Sequence, residues 1–174
     1  MISPLSLSNI LTVLLALLCL WTIVPQARGG VVKLWRLAMP ACLATVQALV
    51  LLAGVFEVSL VSDAEWLAAA IFGALLGRIR GWSLPVEFDR ARDLVRLRPS
   101  IDGHLAAWGL VILAAVDFIS AYLEGAVVPP DIVAAGAAFF AGYIGCRAIA
   151  IGVRARSNRV SSLPTPAETS LPPS

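Results

Sequence analysis

Charge is what this sequence has least of. Asp, Glu, Lys and Arg make up 14% of its 174 residues, against about a quarter in soluble domains, while 59% are apolar and the mean hydropathy is +0.88. So little polar surface could not cover such a core in water, and the composition predicts lipid as the solvent. Cysteine is scarce too. Cys19, Cys42 and Cys146 form no Cys-x-x-Cys pair, which removes a disulfide framework and the common zinc patterns. The chain has no P-loop, no dinucleotide fingerprint and no triad motif. Residues 1–9 hold no Lys or Arg, and Leu18 stands before Cys19 where a lipoprotein signal would place a small residue. The first apolar run is therefore expected to be retained rather than cleaved.

What the chain does have is long apolar runs. A bilayer core of roughly 30 Å needs about 20 apolar residues in a helix. Residues 5–24 and 37–56 meet this requirement. The next run is shorter, but Ser62-Asp-Ala-Glu65 is a capping-box pattern, so a helix over 63–80 is expected, with Arg78 and Arg80 snorkelling to water. Asp102 can cap a fourth helix over 103–123, and Pro129-Pro130-Asp131 opens a fifth over 131–153. The expected fold is an all-α membrane protein of five transmembrane helices, one polytopic domain over 1–156. The Ser/Pro/Thr-rich tail, 157–174, lacks apolar bulk and is expected to be disordered.

Every basic residue falls on one side of these spans. Arg28, Lys33 and Arg36 follow the first, Arg78 to Arg98 the third, and Arg154, Arg156 and Arg159 the fifth, with Arg147 just inside it. The intervening loops carry only acids, Glu57, Asp63 and Glu65, then Glu124 and Asp131. The positive-inside rule then predicts an outer N-terminus and a cytoplasmic C-terminus. Trp21, Trp35, Trp82 and Trp108 fall near the cytoplasmic interface and Trp66 near the outer one, where amphipathic rings prefer to lie.

The stretch 77–104 gathers six arginines, Arg78, Arg80, Arg90, Arg92, Arg96 and Arg98, with four carboxylates. Its apolar residues make no helical face, but Pro85-Val-Glu-Phe-Asp89 and Val95-Arg-Leu-Arg98 alternate as strands do. A short cytoplasmic β-hairpin between helices three and four is expected. Val86, Phe88, Val95 and Leu97 would share one face, towards lipid or the helix ends; Glu87, Arg96 and Arg98 would face the cytoplasm. A lone hairpin is marginal, so the membrane surface is its expected support, with the six arginines near lipid headgroups or a partner.

A span ending Gly77-Arg78-Ile-Arg80-Gly81, then "PVEFDRARDLVRLRPS", then a new span, resembles the small CcdC-type bacterial membrane proteins over roughly residues 64–124. That family is named for its proximity to cytochrome c biogenesis, and its members are mostly of unknown function. The resemblance implies a bacterial inner-membrane protein and carries over no activity.

Candidate sites are few. Asp117 is a carboxylate well inside a span, and intramembrane acids suggest ion or proton handling, or a buried acid that holds helices together. Glu124 follows on the same face, and Gln47 and Tyr143 could add hydrogen bonds. Cys19, Cys42, Cys146 and His104 could supply a tetrahedral zinc set, but they lie on separate helices and read more simply as packing groups. Gly73-x-x-x-Gly77, and Ala134, Ala138, Gly142 and Cys146 at four-residue spacing, let helix backbones approach closely, within the chain or in a homodimer. The arginines are too interspersed with acids to argue for nucleic acid. No metal, cofactor or catalytic residue is expected. The expected role is structural or accessory, with the lipid bilayer, a second copy or another membrane protein as partner. A small carrier using Asp117 is the alternative, although unequal spans show no inverted repeat; assistance to cytochrome c or thiol-redox biogenesis comes third.

Overall fold

The computed structural model describes residues 7–55, 60–89, 94–123 and 128–157. They form five helices and three short strands, in the order α1 (Leu7–Ala27), β1 (Gly30–Lys33), α2 (Leu34–Val55), α3 (Leu60–Ser83), β2 (Val86–Asp89), β3 (Leu94–Leu97), α4 (Asp102–Tyr122) and α5 (Pro130–Ser157). Four of the helices, α1, α2, α4 and α5, are long and apolar enough to cross a membrane. Helix α3 is as long but is charged near both ends, through Asp63, Glu65, Arg78 and Arg80.

Helix α5 is the hub, packing against α2, α3 and α4, while α1 closes over α2 and α4. The main apolar core joins Cys19 and Ile23 of α1, Ala44 and Leu51 of α2, Leu110 of α4, and Ala137 and Ile144 of α5. Among the described residues, α3 contributes none to it. Instead α3 lies directly on the α5 backbone. A Cβ at Gly73 would fall on the Phe139 carbonyl, one at Gly77 on the Tyr143 carbonyl, and one at Gly142 on the Ala70 carbonyl.

The hairpin is part of a larger sheet, which corrects the two-stranded expectation. Strand β1, from the short link between α1 and α2, pairs antiparallel with β3, so the order is β1-β3-β2. The Val86↔Leu97 and Val32↔Val95 register places those four residues on one face, while the side chain of Phe88 lies outside the described residues. Of the two supports expected for this face, lipid or the helix ends, the structure shows the helix ends. Val32, Val95 and Leu97 pack on Leu37 of α2 and on Ile151 and Ala155 at the end of α5. A helix end thus supplies the support that a marginal hairpin needs. The sheet also fixes sidedness: the end of α1, the start of α2, the end of α3, the start of α4 and the end of α5 all meet there. We call this the sheet end.

Several boundaries differ from expectation for physical reasons. Helix α1 runs through Pro25 and ends at Ala27, two residues before Gly29, whose φ of +74° favours glycine and whose missing side chain admits the Pro99 ring. Ser62 and Asp63 lie inside α3, so the capping box is not its start. Asp102 is a helical residue rather than the cap, because its carboxylate turns to cations instead of the backbone. Arg90, Arg92, Glu57, Glu124 and the 158–174 tail lie outside the described residues.

Helix α2 contains Pro40, which has no N–H to give the carbonyl of Arg36 four residues back. The buried side chain of Gln26 donates to that carbonyl instead, at 3.1 Å. Gln26→Leu should therefore leave a buried acceptor unpaired, at about 1–3 kcal/mol. The expected result is a lowered thermal unfolding midpoint; an unchanged midpoint would mean that the carbonyl finds another donor.

Candidate functional site

The polar centre of the molecule lies at the sheet end, where α3, α4, α5 and the 98–101 link converge. Tyr143 and Arg147 are four residues apart on α5 and so share a face. Both reach Asp102 at the first turn of α4: Tyr143 Oη donates to Asp102 Oδ2 at 3.0 Å, and Arg147 Nε at 2.9 Å. Arg147 Nη2 donates to Ser100 Oγ at 2.8 Å. Arg80 of α3 adds a longer ion pair, Nε to Oδ2 at 3.6 Å, from a half-exposed position.

The local sequence makes room for this. A Cβ on Gly103 would come within 3.2 Å of Arg147 Nη1, so glycine lets the guanidinium lie against the start of α4. Arg147 is only 5% exposed, and Asp102 Oδ1 is buried without a hydrogen-bond partner among the described residues. A buried charge survives when paired and hydrogen-bonded, as Arg147 is here. Two hydrogen-bond donors and one longer ion pair converge on one carboxylate oxygen, and they join three helices.

Neighbouring polar groups act in the same manner. Arg154 Nη1 donates to the carbonyls of Gly81, Trp82 and Leu84, at 3.3, 2.7 and 2.5 Å, and so satisfies the frayed end of α3. Ser100 N–H donates to the Ala27 carbonyl at 3.2 Å, tying the link before α4 to the end of α1. Trp108 Nε1 donates to His104 Nε2 at 3.1 Å, which leaves the proton of a neutral imidazole on Nδ1.

The residues singled out from sequence are placed as follows. Asp117 is half-buried on α4, with no hydrogen bond or ion pair among the described residues, and Tyr143 turns to Asp102 rather than to it. Gln47 is fully buried; its Nε2 donates to the Leu110 carbonyl at 3.3 Å, while its Oε1 has no partner among the described residues. Arg96 pairs with Glu87 across the strands at 3.7 Å, both well exposed. Arg78 and Arg98 are exposed without carboxylate partners among the described residues. Gly73, Gly77 and Gly142 meet at the α3–α5 contact, whereas Ala138 lines a cleft beside it. Cys19 is buried, Cys42 exposed and Cys146 half-buried. Among the described residues, no three His, Cys, Asp or Glu side chains gather as a metal set.

Sequence reasoning missed the Asp102–Arg147 pair. A signal for it did exist: Arg147 lies seven residues deeper in its apolar run than Arg154, and a guanidinium at that depth needs a partner. No family model, curated protein or solved structure matches this chain. Its functional reading rests on geometry.

Proposed function

We propose that this is a multi-pass membrane protein of the bacterial inner membrane with a structural or accessory role. All five helices span, with the N-terminus outside and the sheet end in the cytoplasm. The observation that carries the membrane reading is what the bundle leaves outside. Leu14, Leu18, Leu49, Ile71, Leu75 and Ile112 are exposed along its sides, an apolar surface that soluble monomers rarely present. Exposed Trp21, Trp35, Trp82 and Trp108 ring the sheet end, where the described basic residues also gather, as expected of an interfacial belt and a cytoplasmic face. The resemblance of residues 64–124 to CcdC-type proteins supports the bacterial location.

The accessory role is supported by how the buried and half-buried polar groups are used. Gln26, Arg147 and Arg154 each tie one element to another, which suits a rigid platform that presents the sheet and its arginines. A carrier using Asp117 has less support, because the residues nearest in purpose, Tyr143 and Gln47, bond elsewhere.

Reporter fusions test the arrangement. Fusions after Gly30, Pro99 and Ser162 should report cytoplasm, and fusions after Ser62 and Gly125 the periplasm. A periplasmic signal after Pro99 would overturn it, and matching signals after Ser62 and Pro99 would remove α3 from the spans.

A further inference from the structure

Helices α2 and α3 both lean on α5 without packing closely on each other, so a cleft opens along α5 to the outside of the bundle. It has two parts of about 280 and 680 Å³, which share Thr45, Gly145 and Ile149. The larger lies between α2 and α5 and runs from Thr45 and Gly145 to Leu34 and Arg156 at the sheet end. Its rim residues Val46, Ile149 and Val153 are exposed, so it faces what surrounds the protein.

Two features of this part point to one occupant. The first is depth. Arg156 lies eleven residues after Gly145, about 16 Å along the helix, or half of a hydrocarbon core of roughly 30 Å. That is the depth of one leaflet, and the smaller part continues from there towards Ala134 in the other leaflet. The second is charge. The apolar wall ends at Arg156, which is exposed and meets no carboxylate among the described residues. Lys33, exposed as well, directly precedes Leu34 on the opposite wall. An apolar slot one leaflet deep with cations at its mouth is complementary to an anionic headgroup above an acyl chain.

We propose that the α2–α5 cleft binds one anionic phospholipid of the sheet-end leaflet, its acyl chain along Ala41, Thr45, Gly145 and Ala148 and its phosphate at Arg156. This rests on the membrane reading above and names a partner for it. The site is separate from the Asp102 cluster and from the sheet arginines.

Native mass spectrometry of the purified full chain tests the site. The protein is given equal amounts of phosphatidylglycerol and phosphatidylcholine with the same acyl chains. Wild type should retain one phosphatidylglycerol in preference to phosphatidylcholine. Arg156→Gln should lower that preference about fivefold, the worth of one basic residue near an anionic headgroup. Arg28→Gln, an exposed arginine at the same end but away from the cleft, should leave it unchanged. Gly145 has open space where a side chain would go, so Gly145→Leu should fill the slot, keep the fold by circular dichroism, and lose both lipids. Equal effects of Arg156→Gln and Arg28→Gln would reduce the attraction to diffuse surface charge and overturn the site. Lipid retention in Gly145→Leu would place the lipid elsewhere, and a dimer lost in that variant would make a second copy the occupant. If alkaline carbonate strips the wild-type chain from membranes, the membrane reading itself fails. An integral protein without lipid preference defeats only the cleft.

Discussion

Arg147→Leu should be the most damaging single change in this protein, lowering its stability by about 3–5 kcal/mol. The cost comes from what the substitution leaves behind. Asp102 would keep only the Tyr143 hydroxyl and the half-exposed Arg80, 3.6 Å away, while Ser100 Oγ would lose its guanidinium donor. Removing both charges, with Arg147→Met and Asp102→Leu together, should cost less than Arg147→Leu alone, because no uncompensated carboxylate remains. Unfolding in detergent, followed by helicity, would measure all three proteins. A loss below about 1 kcal/mol for Arg147→Leu, the range of an exposed pair, would show that water reaches the cluster and that it is no clasp.

The second large effect is expected at the α3–α5 contact. Gly73→Ile and Gly77→Ile each force a side chain onto a backbone carbonyl of α5, at Phe139 and Tyr143. A neighbouring side chain could rotate away, but a helix backbone cannot. Overpacking of this kind costs about 1–3 kcal/mol at one site, and the two together should free α3 from the bundle. In lipid there is no hydrophobic force to draw it back, since helix association there depends on close van der Waals contact. Gly145→Ala is the matched control, because nothing lies within 4 Å of a Cβ there. Thermal unfolding should fall for both isoleucine variants and hold for Gly145→Ala. If Gly73→Ile and Gly77→Ile unfold like wild type, α3 is held by something other than that contact.

Coupling between the two regions is itself informative. Gly77 lies against the carbonyl of Tyr143, whose hydroxyl serves Asp102. Gly77→Ile and Arg147→Leu should therefore combine non-additively, whereas the more distant Gly73→Ile should add more nearly to Arg147→Leu.

The sequence by itself determined the features whose cause is local. Long apolar runs bounded by charge or proline specify α1, α2, α4 and α5, because a helix needs no partner to satisfy its backbone. Period-two alternation in residues 85–89 and 95–98 specified the hairpin and which side of it is apolar, because a strand's faces alternate regardless of what covers them. The gathering of basic residues beside alternate helix ends was equally legible, and the sheet unites those ends independently of charge.

Tertiary structure alone decided who meets whom. Gly30–Lys33 is too short to announce a strand, and becomes one only because β3 offers a free edge more than sixty residues away in sequence. Asp102 read as a helix cap because that is the nearest use for a carboxylate there. Arg147, 45 residues on, outbids the backbone, since a buried guanidinium binds a carboxylate more strongly than an N–H does. Pro40 promised only a defect in α2, and the donor that repairs it, Gln26, comes from a different helix. Each of these partners is chosen by burial, which makes an unpaired polar group costly, and burial exists only once the helices have packed.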